Sequence, residues 1–169
     1  GENGAGKSTL MNVLGGVVSP DSGEIFIEGE KVTIHNPHKA QELGVAFIHQ
    51  ELNLFPFLDI AKNIFISNLP SKGGRIDQRE LYQEAKKLLD EVGLHKDPKT
   101  LIKDLTVAEQ QLVEIAKALS SYTRILVLDE PTSSLTDREI EDLFKIIQEL
   151  TEKGVTVIYI SHRLDEIFK

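Results

Sequence analysis

Along the chain the spacing of apolar residues changes several times, and each change predicts an element. Leu10, Met11, Val13 and Leu14 follow Lys7 at helical spacing and stop at Gly15 and Gly16, which predicts a short helix. Turn-forming residues occupy 19–23. Residues 24–28 and 31–35 then read as the two arms of an antiparallel hairpin around Glu28, Gly29 and Glu30. A helical stretch ends near Gly44. The run Val45, Ala46, Phe47, Ile48 is a buried strand whose end delivers His49 and Gln50 into a loop, and Pro56 interrupts the chain shortly afterwards. The polar residues 67–75 lead into a helix capped by Asp77, with Glu80 three positions on and Leu81, Ala85, Leu88, Leu89 and Val92 along one face as far as Gly93.

The second half alternates more regularly: a helix over Val107–Leu119, a strand over 124–128, a helix over 138–153, a strand over 155–160 and a helix beginning after His162. Strand, helix and strand in succession imply a parallel sheet flanked by helices. Residues 53–119 lack strand patterning and are expected to form a helical lobe.

Composition narrows the class without changing this picture. The 169 residues suit one domain with a small inserted lobe, and 40% hydrophobic with 27% charged residues is ordinary for a globular protein. No apolar run approaches the ~20 residues that span a bilayer, so a membrane role would come through a partner. A net charge of −8, with basic residues scattered, argues against a large nucleic-acid footprint. The absence of cysteine fits a reducing compartment.

The candidate chemistry begins at the first residue. Gly1, Glu2, Asn3, Gly4, Ala5, Gly6, Lys7 and Ser8, followed by Thr9, match GxxxxGK[ST], a phosphate-binding loop. Its glycines let backbone N–H groups turn toward a β-phosphate. Lys7 reaches the β and γ oxygens, and Ser8 ligates Mg²⁺. The apolar strand ending in Asp129 and Glu130 suits a second element of the same chemistry, with Asp129 on the metal and Glu130 orienting or deprotonating water. Taken alone, such a pair is also what a solvated loop shows; beside a phosphate loop it reads as functional. His162 and Gln50 each follow a strand, at the edge where ligands of open α/β sheets collect.

The order of these features resembles the ABC ATPase family. It runs from phosphate loop to strand-end Gln, then a helix entered through Leu105, Thr106, Val107, Ala108 and Glu109, then Leu-Asp-Glu-Pro-Thr-Ser, then Ile-Ser-His. More narrowly, GENGAGKSTLMNVLGG, VAFIHQELNLFP, VEIAKALS, DEPTSSLTDREI and YISHRLDEIF resemble the N-terminal half of tandem ATP-binding subunits of bacterial monosaccharide importers of the ribose, galactose and arabinose type. The resemblance implies an α/β P-loop NTPase domain with a parallel sheet core, an antiparallel β hairpin and a helical lobe at about 53–119. It implies an ATPase, with Glu130 as catalytic base, His162 holding the γ-phosphate, Gln50 sensing Mg²⁺ and γ-phosphate, residues 133–136 as the loop after the acidic pair, and Thr106 on the signature facing ATP of another half. Residues 1–169 are then expected to be one incomplete domain, with its first strands and any second ATPase half missing. Expected partners are that second half, transmembrane permease subunits and, indirectly, an extracellular or periplasmic sugar-binding protein, at the cytoplasmic face of the membrane. The alternatives are a non-hydrolysing regulatory half and an ABC-type ATPase unconnected with transport.

Two departures stand out. The family's usual Leu-Ser-Gly-Gly-Gln reads Leu-Thr-Val-Ala-Glu here, and Thr136 stands where an Asp is expected. Thr106 and Glu109 have the spacing of a capping box, and the Glu109 carboxylate is expected to repel an incoming phosphate. Leu54, Phe55 and Phe57 around Pro56 are the expected apolar anchors for a membrane partner.

Overall fold

The computed structural model describes residues 6–163 and Glu166. Helix α1 (Lys7–Leu14) starts at Gly6, whose φ of 83° only glycine adopts cheaply. Strands β1 (Ile25–Ile27) and β2 (Glu30–Val32) pair antiparallel, with Ile27 opposite Glu30. The two-residue turn between them has φ 54° at Glu28 and 82° at Gly29, the left-handed pair that matches strand twist in a tight hairpin. Helix α2 (Pro37–Glu42) is opened by the Asn36 side chain, which accepts from Lys39 N, and by Pro37 in its first turn.

The parallel sheet consists of β3 (Val45–Ile48), β6 (Ile125–Asp129) and β7 (Thr156–Ile160), with β6 in the middle. Alternation along these strands splits the core in two. Val45, Phe47, Val127, Ile158 and Ile160 face the hairpin and α1. Ala46, Ile48, Leu126, Leu128, Val157 and Tyr159 face the larger cluster. That cluster is completed by helices α3 (Ile60–Ile64), α4 (Gln78–Glu91), α5 (Val107–Leu119) and α6 (Asp137–Glu152).

The lobe follows expectation in its helices. Asp77 caps α4 by accepting from Glu80 N, and Leu81, Ala85, Leu89 and Val92 are fully buried. It departs in one place: the polar stretch holds a miniature hairpin, β4 (Ser71–Lys72) and β5 (Arg75–Ile76), turned by Gly73 and Gly74. Four exposed strand residues leave no apolar alternation to read, so only the Gly-Gly pair signalled it. Beyond His162, Glu166 is helical, and the rest of the expected last helix lies outside the described residues.

Candidate functional site

Parallel pairing brings the candidate groups to one edge of the sheet. Ile48 pairs with Leu128, Leu128 with Tyr159 and Asp129 with Ile160, so all three chains leave their strands at the same level. Gln50 exits exposed from β3, Asp129 ends β6 half-buried, and His162 follows β7 after one residue. The structure joins one of these directly to a further candidate: His162 Nδ1 lies 2.9 Å from Glu130 Oε1. Glu130 is held there by its own backbone, whose N–H donates to Ile160 O at 2.9 Å. The same residue has φ 50°, a left-handed conformation costly for a side chain of this kind and characteristic of functional turns.

The phosphate-loop candidates divide. Gly1, Glu2, Asn3, Gly4 and Ala5 lie outside the described residues. Gly6 precedes α1, and Lys7, Ser8 and Thr9 form its first turn, with Ser8 and Thr9 exposed. A helix N-terminus presents unsatisfied N–H groups and a positive dipole end, so this turn suits an anion. Met11 and Leu14 pack α1 onto the sheet beside Phe47, Val127 and Ile160, although the helix has no fully buried residue.

Thr106 sits on another element, exposed at the start of α5, and the capping box forms as its spacing predicts. Glu109 N donates to Thr106 Oγ1 at 3.3 Å, and Thr106 N donates to Glu109 Oε2 at 2.9 Å. The expected repulsion is altered by a residue that sequence reasoning missed: Lys96 Nζ lies 3.0 Å from the other oxygen, Glu109 Oε1. Burial pushes the Glu109 carboxyl up, but the Thr106 backbone and Lys96 outweigh it and hold the group below its ordinary range. Thr136 likewise caps α6 through a second box with Glu139, a Thr-x-x-Glu spacing visible in the sequence.

The loop after Gln50 is gripped from the lobe. Glu114 Oε1 accepts from Asn53 N at 2.9 Å, and Lys117 Nζ donates to Asn53 O at 2.9 Å, both from α5. Asn63, fully buried, accepts from Phe55 N and donates to the carbonyls of Phe55, Leu58 and Asp59. Phe55 and Phe57 are left 53% and 78% exposed, whereas Leu54 packs on the core and is not an exposed anchor. A cleft of about 1280 Å³ opens beside this loop, with Phe47, His49, Asn53 and Phe65 among its walls.

A helix begun at a glycine-lysine-serine turn, set against parallel strands that carry their polar groups at the carboxyl edge, is the layout of a phosphate-loop NTPase. Within that class the chain belongs to the ABC transporter family, whose model matches residues 1–133. It is 54% identical to a ribose import ATP-binding protein of Rubrobacter xylanophilus, covering 100% of this chain and 34% of that protein. It is 48% identical to a putative ribose/galactose/methyl galactoside import ATP-binding protein of Agrobacterium fabrum, covering 100% of this chain and 33% of that one. The chain thus spans about a third of the length of the curated relatives it matches. A solved dimeric ATP-binding cassette in a post-hydrolysis state, bound to ADP and Pi, is similar with TM-score 0.75 and 26% identity, over 95% of this chain and 72% of that one.

Proposed function

We propose that this chain is the nucleotide-binding and hydrolysing part of a larger ATP-driven importer whose cargo is a monosaccharide. The observation that carries the reading is the paired Glu130 and His162 at the sheet edge, with Asp129 at the adjoining strand end. A carboxylate held beside an imidazole, where a γ-phosphate would arrive, suits the positioning of an attacking water. The first turn of α1 binds the phosphates through N–H groups and the Lys7 ammonium, together with Gly1, Glu2, Asn3, Gly4, Ala5 and Gly6 of the loop. His162 holds the γ-phosphate, and Glu130 orients the water or takes its proton.

The oxygen donors fit Mg²⁺. Ser8, Gln50 and Asp129 offer a hydroxyl, an amide and a carboxylate, the hard ligands that ion prefers. Among the described residues no cluster of three or more His, Asp or Glu side chains could hold a metal unaided. Mg²⁺ needs none, because it takes few protein ligands and keeps phosphate and water. When bound, it neutralises charge on the phosphates.

The partners follow from the same reading. Thr106 and the start of α5 face the ATP of a second ATPase half. The exposed Phe55 and Phe57 suit a permease subunit at the cytoplasmic face of the membrane, with a sugar-binding protein acting from the far side. The Glu109 carboxylate would favour a regulatory half that binds ATP without hydrolysing it; Lys96 counters that charge, and the Glu130–His162 pair supports hydrolysis.

In the full-length protein, Glu130→Gln is expected to keep ATP binding and to lower turnover at this site by about 10²–10⁴, the usual contribution of a positioned base. Unchanged site-resolved hydrolysis overturns the assignment. Turnover with the permease in vesicles that responds to no monosaccharide overturns the cargo.

A further inference from the structure

Glu166 is only 3% exposed, and its carboxylate gathers donors from two stretches of chain, the turn after β6 and residues 159–163. Thr132 Oγ1 donates to Oε1 at 2.8 Å, Tyr159 OH and Ser161 Oγ donate to Oε2 at 2.8 and 2.7 Å, and Arg163 Nε lies 3.3 Å from Oε1. A carboxylate has about four acceptor sites, and these four donors match that capacity.

What these donors adjoin gives the carboxylate its meaning. Thr132 is two residues beyond Glu130, in the turn that leaves β6. Ser161 immediately precedes His162, and its hydroxyl also accepts from Arg163 N at 3.0 Å. The side chain of His162 is 62% exposed, so packing does little to place it. The loop carrying Glu130 and the loop carrying His162 are joined by the Glu130 N–H bond to Ile160 and, on the buried side, through the single carboxylate of Glu166.

We infer that Glu166 is a positioning residue: it holds the two loops at the separation that keeps the Glu130 carboxylate and the His162 imidazole in register. It touches neither group and acts through Thr132 and Ser161. With a glutamine amide in its place, one oxygen becomes a donor facing hydroxyls that now point at it, and the loops must shift or the hydroxyls turn away. A buried anchor that only fastened the following helix would change stability and leave the pair's chemistry alone.

This inference rests on the hydrolytic reading proposed above, and the experiment separates the two. In the full-length protein, ATP affinity, kcat and melting temperature are compared for wild type, Glu166→Gln, Ser161→Ala and Thr132→Val, with each substitution repeated in a His162→Ala background. ATP affinity is expected to stay within about twofold, while kcat falls about tenfold to a hundredfold, the range for small misplacement of reacting groups. In the His162→Ala background the same substitutions are expected to add little. Wild type that hydrolyses ATP, with kcat unchanged in Ser161→Ala and Glu166→Gln, overturns the inference alone. So does an undiminished effect of these substitutions without His162. Wild type that binds but never hydrolyses ATP overturns the hydrolytic reading and the inference with it. If Glu166→Gln fails to fold, Ser161→Ala and Thr132→Val decide by the same criteria.

Discussion

The Glu109 carboxylate shows how one neighbour changes what a motif means. On sequence alone it is an anion at the mouth of a helix expected to meet another. In the structure one oxygen caps the helix and the other meets Lys96. Because both partners are partly exposed, the pair is worth only ~0.2–1 kcal/mol and is screened by salt. Lys96→Ala in the full-length protein is therefore expected to raise the ATP concentration needed for closure by up to about fivefold at low salt, the effect of one charge at a helix terminus. Adding Glu109→Gln should restore it. A titration of closure with ATP at low and high salt checks this, and no change on Lys96→Ala would show that the charge is not felt at the site.

Acid sensitivity follows from the same residue-level chemistry. Burial pushes the Glu166 carboxyl up, but Ser161, Thr132, Tyr159 and Arg163 together outweigh it and lower the pKa below the ordinary range. A lowered folded pKa gives stability that is complete above the unfolded value and is lost as pH falls through the folded one, that is, below about pH 4. Tyr159 is opposite in sign: burial raises its hydroxyl, so its contribution is lost only as pH climbs beyond about 10. Melting temperature recorded from pH 7 down to pH 3 should fall more steeply for wild type than for Glu166→Gln, and parallel curves would contradict the assignment.

Among elements, legibility followed the strength of the local signal. Helix α4 announced itself through a cap, an apolar stripe and a terminal glycine, and α5 matches its expected bounds. β3 was expected with its observed bounds, while β6 shifts by a single residue and β7 starts one residue later, because strand ends are set by pairing rather than by composition. The miniature hairpin escaped notice because its residues are exposed and carry no period. Asn63 escaped for the opposite reason: a polar residue on a helix face gives no hint that its amide will satisfy four backbone groups of the loop before it. Asn63→Ala leaves those groups short of partners. It is expected to destabilise the lobe by about 1–3 kcal/mol. Limited proteolysis should then cut at 53–58 faster than in wild type, and equal rates would mean that the loop is held elsewhere.

At the scale of the molecule, the sheet divides the core into a larger cluster shared with the lobe and a smaller one under the hairpin and α1. The site draws on both: Glu130 and His162 leave strands packed on either face, while Lys7 and Ser8 ride on a helix with no fully buried residue. Amides in α1 should exchange with solvent sooner than those of β6 and gain protection when ATP is added; equal protection without nucleotide would contradict this ordering. The edge assembly was readable because strand order and motif order coincide. The bonds that fix it, through Glu166 and Asn53, join residues too far apart in sequence for any period to reveal.

The left-handed backbone at Glu130 bears on how such a protein can age. A residue other than glycine or asparagine there costs ~1–2 kcal/mol, and the contact with His162, exposed on one side, returns ~0–1 kcal/mol. Glu130→Asn, which tolerates that conformation, should therefore abolish turnover without lowering the melting temperature. Selection for foldability alone would not defend this carboxylate. A duplicated copy released from the need to hydrolyse could lose its chemistry in one step, keep its shape, and persist as a silent companion to an active one.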